Sequence, residues 1–197
     1  MIKCTKTSLG EIVVYRYEDD SLMLHNDLYQ INMAESYWND GIHERNAVFD
    51  LYFRSMPFES GYAVFNGLKR VIQFIEHFHF SDSDIEYLQS IGYKNDFLNY
   101  LKNLKFTGNI RSMQEGELCF GNEPLLRVEA PLIQAQLIET VLLNIINFHT
   151  LISTKASRIR QVAPDDTLME FGTRRAQELD AALWGARAVS YTHLTLP

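Results

Sequence analysis

Residues 132–162, LIQAQLIETVLLNIINFHTLISTKASRIRQV, are rich in Leu, Ile, Gln and Ala and contain no Gly or Pro. Such residues favour the helical conformation, and the stretch has no helix breaker. The sequence therefore predicts one long helix or two abutting helices over this segment. Shorter elements are predicted on both sides of it.

Apolar residues at helical spacing predict further helices upstream. Asp27 followed by Gln30 is typical of a capping pair, and the helix that it begins is expected over residues 28–40, ending at Gly41. Residues 81–84 are typical of a helix start. The other predicted helices are a stripe formed by Leu68, Val71, Ile72, Ile75 and Phe78, and the segments 85–90 and 96–104.

Alternating segments predict strands between these helices. Residues 46–54 place apolar side chains at every second position, which is typical of a strand with one buried face. A short strand is expected over 62–65. Segments 110–120 and 125–130 are interrupted by turn residues and predict antiparallel strands joined by tight turns. The sequence up to Pro131 therefore predicts an α+β domain.

The last part of the chain predicts a strand over 167–171, a turn at Gly172 and a helix from Ala176 to Val189. Within it, the segment EFGTRRAQ, residues 170–177, combines a glycine with two arginines just before a predicted helix N-terminus. Backbone amides and guanidinium groups in this arrangement favour a phosphate or a carboxylate. A solvated arginine pair on a helix surface is the alternative that the residues alone leave open.

Composition excludes several classes of protein. The 197 residues carry 18 basic and 25 acidic side chains, a net charge of −7, which argues against a broad nucleic-acid-binding surface. Cys4 and Cys119 lie far apart in sequence, so neither a disulfide framework nor a zinc site is indicated. No apolar run is long enough for a signal peptide or a membrane span. We expect a soluble cytoplasmic protein.

Three separated motifs, DLYQINM at 27–33, SMPFESGYAVFNGL at 55–68 and EFGTRRAQ at 170–177, together resemble the nicotinate phosphoribosyltransferase family. The resemblance is collinear, extends through residues 137–160 and covers roughly residues 22–189. It implies a type II phosphoribosyltransferase, in which an N-terminal α/β domain precedes an irregular α/β barrel and the active sites of a homodimer are shared between subunits. It also implies that nicotinate and phosphoribosyl pyrophosphate form nicotinate mononucleotide and pyrophosphate, with magnesium and ATP hydrolysis, as an entry step to NAD.

The resemblance also implies roles for individual residues. Tyr29 matches the aromatic side chain that stacks on the pyridine ring from the neighbouring subunit, and Phe171 matches the opposite wall of that sandwich. Arg174 matches an arginine that reaches the phosphates of phosphoribosyl pyrophosphate, and Arg175 lies beside it. Arg54 is similar to a basic residue that meets the pyrophosphate from the partner subunit. Core packing for the aromatic residues and a solvated strand end for Arg54 stay open.

The family's reactive histidine is expected beyond this chain, and His193 is not assigned that role, because residues 190–197 match nothing in the family. No residue of this chain is expected to bind magnesium or ATP. The resulting expectation has four parts, which are an N-terminal extension (1–21), an N-terminal α+β domain (22–131), a helical connection with the first strand-helix unit of an incomplete barrel (132–189) and a non-matching tail (190–197).

An eight-unit barrel needs about 250 residues, so this chain has room for only its first unit. We therefore expect a truncated, inactive N-terminal fragment of a nicotinate phosphoribosyltransferase. Two other functions remain open, a non-catalytic dimerisation or ligand-binding module and a nicotinamide-specific relative.

Overall fold

The computed structural model of the chain describes residues 21–177 and 180–190, together with the backbone of residues 4–6 and 12–14. Residues 191–197 of the predicted tail, His193 among them, lie outside the described residues. Most of the predicted extension 1–21 lies outside them too. The described helices are α1 (Leu28–Asn39), α2 (Leu68–Glu76), α3 (Asp82–Ser90), α4 (Asn95–Asn103), α5 (Leu132–Val162) and α6 (Ala181–Ser190). The described strands are β1 (Cys4–Lys6), β2 (Ile12–Val14), β3 (Asn46–Leu51), β4 (Ala63–Val64), β5 (Asn109–Ser112), β6 (Leu118–Cys119) and β7 (Leu126–Pro131).

Helix α5 is one unbroken helix of 31 residues, which decides between the two predicted alternatives. It packs against α1, α2, β3, β4 and β7, and many of its side chains are buried, among them Leu137, Ile138 and Val141. By length and composition alone α5 could cross a membrane, but 56% of its most apolar window is buried within the protein. Helix α5 is thus the central element of the hydrophobic core.

The described strands form three small antiparallel sheets. In the largest, β7 lies between β3 and β5, with Val128 opposite both Phe49 and Ile110. Strands β4 and β6 pair separately, as do β1 and β2. The predicted segment 110–120 is therefore divided between two sheets, because a turn with Gly116 at φ 94° redirects the chain between β5 and β6.

The alternation predicted over residues 46–54 is confirmed along β3, whose inward side chains are half-buried and whose outward side chains are exposed. The strand ends at Leu51, where its pairing with β7 ends at Leu126. The carbonyl of Leu51 then accepts a hydrogen bond from the amide of Leu125. Tyr52 and Arg54 consequently lie beyond the ladder.

Helix starts were predicted with mixed success. The helix start predicted at residues 81–84 is confirmed: Ser81 and Asp84 form a capping box at α3, with the hydroxyl of Ser81 accepting from the amide of Asp84 at 3.1 Å. The capping pair predicted for α1 is wrong, because the Asp27 side chain makes no cap hydrogen bond. The stripe predicted for α2 is wrong at Ile72, which is 48% exposed, whereas Phe74 is buried.

The strand predicted over 167–171 does not form, and α6 begins at Ala181 instead of Ala176. Among the described residues no strand runs beside this segment, so its backbone has no ladder to join. Met169 and Phe171 are largely exposed. The strand of the predicted first barrel unit is therefore absent from the described structure.

Threonine side chains of α5 bind the outer edge of β4. The Thr154 hydroxyl accepts a hydrogen bond from the amide of Val64 at 3.0 Å. The Thr150 hydroxyl accepts from the amide of Asn66 and donates to its carbonyl, both at 3.2 Å. These hydroxyls take the place of a neighbouring strand and hold residues 63–66 along α5.

Candidate functional site

Tyr29 lies in the first turn of α1, where its ring is 54% exposed. An exposed aromatic ring at the start of a helix is available for stacking on a flat ligand. Its hydroxyl oxygen accepts a hydrogen bond from Nε2 of Gln30 at 3.0 Å. The ring therefore faces outward while its hydroxyl is bound to a buried side chain.

Gln30 connects Tyr29 with α5. Its side chain is 1% exposed, and its Nε2 also donates to Oε2 of Glu139 at 3.3 Å. The same carboxylate oxygen accepts from Nε2 of Gln136 at 3.3 Å, and Oε1 of Gln136 accepts from the hydroxyl of Tyr37 at 3.3 Å. A polar network thus joins α1 and α5 directly behind the Tyr29 ring.

Glu139 also lines a surface depression of about 290 Å³ between β3, β7 and α5. Arg54 lies on the wall of the same depression and is exposed, with no ion pair to any described residue. Apolar side chains form much of the remaining lining: Phe49, Leu51, Val128, Ile138 and Leu142. Glu139 thus belongs both to the network behind Tyr29 and to the depression that Arg54 lines.

An ion pair at the edge of the depression holds the sheet. Nε and Nη2 of Arg127 on β7 donate to the two carboxylate oxygens of Asp50 on β3, at 2.7 and 2.8 Å. The hydrogen bond from Arg127 keeps the pKa of the Asp50 carboxyl below its ordinary value. Both carboxylate oxygens of Asp50 are therefore bound to Arg127.

The other three predicted site residues lie after α5. Phe171 is 81% exposed, and Arg174 and Arg175 are exposed in a 3-10 turn over Thr173–Arg175. The amides of Arg175 and Ala176 donate to the carbonyl of Gly172, both at 2.8 Å. The arginines therefore lie in a short turn and not at the N-terminus of α6, which corrects the expected contribution of helix amides to an anion site.

Arg160 attaches this segment to the end of α5. Its Nη1 donates to the carbonyl oxygens of Ala163, Pro164 and Asp166, at 3.2, 2.8 and 2.8 Å. Along α5, Arg160 is about 30 Å from Glu139 at ~1.5 Å per residue. No described hydrogen bond, ion pair or ring contact connects Tyr29 or Arg54 with Phe171, Arg174 or Arg175. The predicted residues thus form two groups, attached near opposite ends of α5.

Gln30 and Glu139 are absent from the sequence predictions as site residues. Gln30 was interpreted only as a capping residue, yet its side chain turns towards Tyr29 and Glu139. A signal for Glu139 does exist in the sequence, since it is the one carboxylate within residues 132–162. A lone acidic residue in an apolar core helix indicates a specific polar partner.

Comparison with solved structures defines the class of the protein. The fold matches the crystal structure of human nicotinic acid phosphoribosyltransferase with a TM-score of 0.76 and 36% identity, covering 86% of this chain and 34% of that chain. A nicotinate-nucleotide pyrophosphorylase from Pyrococcus furiosus shares the fold, with a TM-score of 0.63, 19% identity and coverage of 87% and 39%. The fold is that of the N-terminal region of a phosphoribosyltransferase.

Sequence comparison gives the family. The sequence model of the nicotinate phosphoribosyltransferase N-terminal domain family matches residues 24–147 of this chain. A nicotinate phosphoribosyltransferase from Bacillus subtilis is 63% identical over 175 residues, which cover 88% of this chain and 36% of the relative. The chain belongs to the nicotinate phosphoribosyltransferase family, which confirms the resemblance seen in the three motifs. It spans about a third of the length of the curated relatives that it matches.

Proposed function

We propose that this chain supplies the N-terminal part of a nicotinate phosphoribosyltransferase. The reaction joins nicotinate to phosphoribosyl pyrophosphate and forms nicotinate mononucleotide and pyrophosphate, an entry step to NAD. The observation that carries the proposal is the 63% identity to the Bacillus subtilis enzyme over nearly the whole chain. The exposed ring of Tyr29 and the exposed Arg54, which forms no ion pair with a described residue, support it, because an aromatic ring and a cation suit a flat pyridine and a phosphate.

The proposed active site is shared between two copies of the chain. Tyr29 and Arg54 belong to the group near the N-terminal end of α5, whereas Phe171, Arg174 and Arg175 follow its C-terminal end. A sandwich of the pyridine ring between Tyr29 and Phe171 then takes one wall from each subunit of a homodimer. In this arrangement Arg174 binds the phosphates, with Arg175 beside it and Arg54 reaching the pyrophosphate from the partner.

We include magnesium and ATP in the proposed reaction because the family resemblance implies them. The described residues contain no group of three or more His, Cys, Asp or Glu side chains that could hold a metal ion. We propose that the residues that bind magnesium and ATP lie in the part of the enzyme that follows this chain. The proposal places the protein in the cytoplasm, with residues 22–131 as the N-terminal α+β domain and 132–189 as the helical connection and the start of the barrel.

The first experiment compares two proteins. The 197-residue chain is assayed for nicotinate mononucleotide with nicotinate, phosphoribosyl pyrophosphate, ATP and magnesium, and we expect no product. A chimera that joins residues 21–189 to the remaining part of the Bacillus subtilis enzyme is expected to form product. Product from the 197-residue chain alone would overturn the proposed inactivity. A folded chimera that forms none, or that accepts nicotinamide equally well, would overturn the proposed reaction.

The second experiment tests the role of Tyr29 within the active chimera. We expect Tyr29→Ala to raise the KM for nicotinate at least tenfold, because the stacking surface is lost. Tyr87→Ala is the matched control, since Tyr87 is a 40% exposed tyrosine on α3. Equal KM values in the parent and Tyr29→Ala would exclude Tyr29 from the site.

A further inference from the structure

We infer that Gln30, oriented by Glu139, is a positioning residue that holds the Tyr29 ring in the orientation needed to stack on the pyridine. This inference rests on the proposed function for the role of Tyr29. The contacts of Gln30 with Tyr29 and Glu139 stand independently of it.

The chemistry of the carboxylate decides which way the Gln30 amide points. An ionised Glu139 only accepts hydrogen bonds, so the amide nitrogen of Gln30, and not its oxygen, must face it. The same nitrogen lies 3.0 Å from the Tyr29 hydroxyl and 3.3 Å from Oε2 of Glu139. Its two hydrogens thus serve one partner each. Glu139 orients Gln30, and Gln30 orients Tyr29.

The burial of Gln30 lowers the stability of the folded state, so stability by itself does not explain this residue. The side chain of Gln30 is 1% exposed, and its Oε1 is buried without a hydrogen-bond partner in the described part of the chain. An unpaired buried carbonyl destabilises the folded state, and an apolar side chain of similar size would avoid that penalty. A functional demand on the Tyr29 orientation explains why a glutamine occupies the position.

The effect on binding follows from conformational freedom. A half-exposed tyrosine without a partner for its hydroxyl populates several rotamers, and only the stacking rotamer binds the pyridine. A hydrogen bond to the hydroxyl favours that rotamer before the substrate arrives. Loss of the bond is therefore expected to weaken nicotinate binding and to leave the chemical step largely unchanged.

The first test reads the Tyr29 hydroxyl directly in the 197-residue chain. Tyrosine labelled with ¹³C at Cζ reports hydrogen bonding of the phenol oxygen, and the Tyr29 resonance is assigned by its loss in Tyr29→Phe. We expect Gln30→Leu to move this resonance towards that of a solvent-exposed tyrosine. Gln134→Leu is the matched control, because Gln134 is also a buried glutamine. Its side chain binds Thr107 and makes no contact with Tyr29 in the described hydrogen bonds. An unchanged resonance in Gln30→Leu would overturn the inference.

The second test measures kinetics in the chimera. Gln30→Leu should raise the KM for nicotinate about tenfold, with kcat within twofold, which is the scale of one hydrogen bond. In a Tyr29→Phe background the same substitution should add less than twofold, because the hydroxyl that it acts through is gone. Gln134→Leu should leave KM at the parent value.

The outcomes separate the two proposals. An equal rise of KM in both backgrounds would show that Gln30 acts on the fold and not through Tyr29, which would overturn the inference. A parent chimera without activity would refute the proposed function, while the ¹³C measurement would still decide whether Gln30 holds the Tyr29 hydroxyl.

Discussion

The carboxylate of Glu115, in the loop between β5 and β6, forms an ion pair with Arg187 on α6, with Oε2 2.9 Å from Nη2. Its other oxygen accepts hydrogen bonds from the amides of Gly67 and Lys69, at 3.0 and 3.1 Å, where α2 begins. One side chain therefore caps α2 and holds α6 against the rest of the protein.

Substitution of Glu115 should destabilise the fold more than substitution of Arg187. Glu115→Ala removes both the helix cap and the ion pair, which together are worth about 2–3 kcal/mol of the free energy of unfolding. Arg187→Ala removes the ion pair but leaves the cap of α2 in place, and is expected to cost about 1 kcal/mol. Urea denaturation followed by circular dichroism measures both values.

Lys102→Ala is the control for this pair, because the Lys102–Asp82 ion pair is exposed on both sides. Exposed pairs contribute little to stability, so this variant should unfold at the parent urea midpoint. Equal destabilisation by Lys102→Ala and Glu115→Ala would contradict the assignment of Glu115 as the connecting residue.

The hydroxyl of Thr154 should contribute more than its methyl group to the free energy of unfolding. Thr154→Val leaves the buried amide of Val64 without an acceptor, at a cost of about 1–3 kcal/mol in the free energy of unfolding. Thr154→Ser keeps the hydroxyl and should retain most of the stability. If the valine variant proves as stable as the serine variant, the edge of β4 does not depend on this hydrogen bond.

His149 should make stability depend on pH. Its ring is 4% exposed, its Nδ1 donates to the carbonyl of Ile145 at 2.7 Å, and its Nε2 has no hydrogen-bond partner among the residues that the structure describes. Burial lowers the pKa of His149 below its ordinary 6.5, aided by the charges of Arg70 and Arg187 and opposed by that of Glu115. The folded state therefore holds the neutral imidazole.

The direction of the pH effect follows from that lowered pKa. Below about pH 6.5 the unfolded chain takes up a proton that the folded chain resists, so the stability contributed by neutral His149 is complete above this pH and declines as the pH falls. The expected decline is at most about 1.4 kcal/mol per pH unit relative to His149→Phe. Urea midpoints of both proteins between pH 7.5 and 5 measure the difference, and parallel profiles would refute the prediction.

Cys119 should be unreactive in the folded protein. It is fully buried, and burial raises the pKa of its thiol to about 11. In a Cys4→Ser variant, we expect no reaction with a thiol reagent at pH 8 until urea unfolds the chain, and then one thiol per molecule. Rapid labelling without denaturant would show that β4 and β6 open readily around Cys119.

The sequence predicts helices and strands well where the pattern of neighbouring residues is enough to decide the local conformation. The run without Gly or Pro over Leu132–Val162 folds as a single helix, and the alternation at Asn46–Leu51 folds as a strand. The helix start predicted at residues 81–84 likewise depends on near neighbours, and it forms as a capping box between Ser81 and Asp84. Each of these predictions needs only neighbours within a few residues, whose conformational preferences act in any surroundings.

Predictions that depend on distant partners succeed less often. Segment 110–120 is divided between two sheets because β7 and β4 supply separate partners for its two halves. The apolar segment 167–171 stays without strand structure, since no described strand lies beside it. A strand pattern states which residues could pair, but the partner decides whether they do.

The sequence by itself determined the family and the central helix, and it predicted Tyr29, Arg54 and the two arginines after Gly172 as candidate site residues. Only the tertiary structure placed Glu139 beside Gln30, 109 positions earlier in the chain, and brought Arg54 to the same depression. The physical reason is that backbone preference acts over a few residues, whereas a hydrogen bond between side chains depends on where packing has placed both of them.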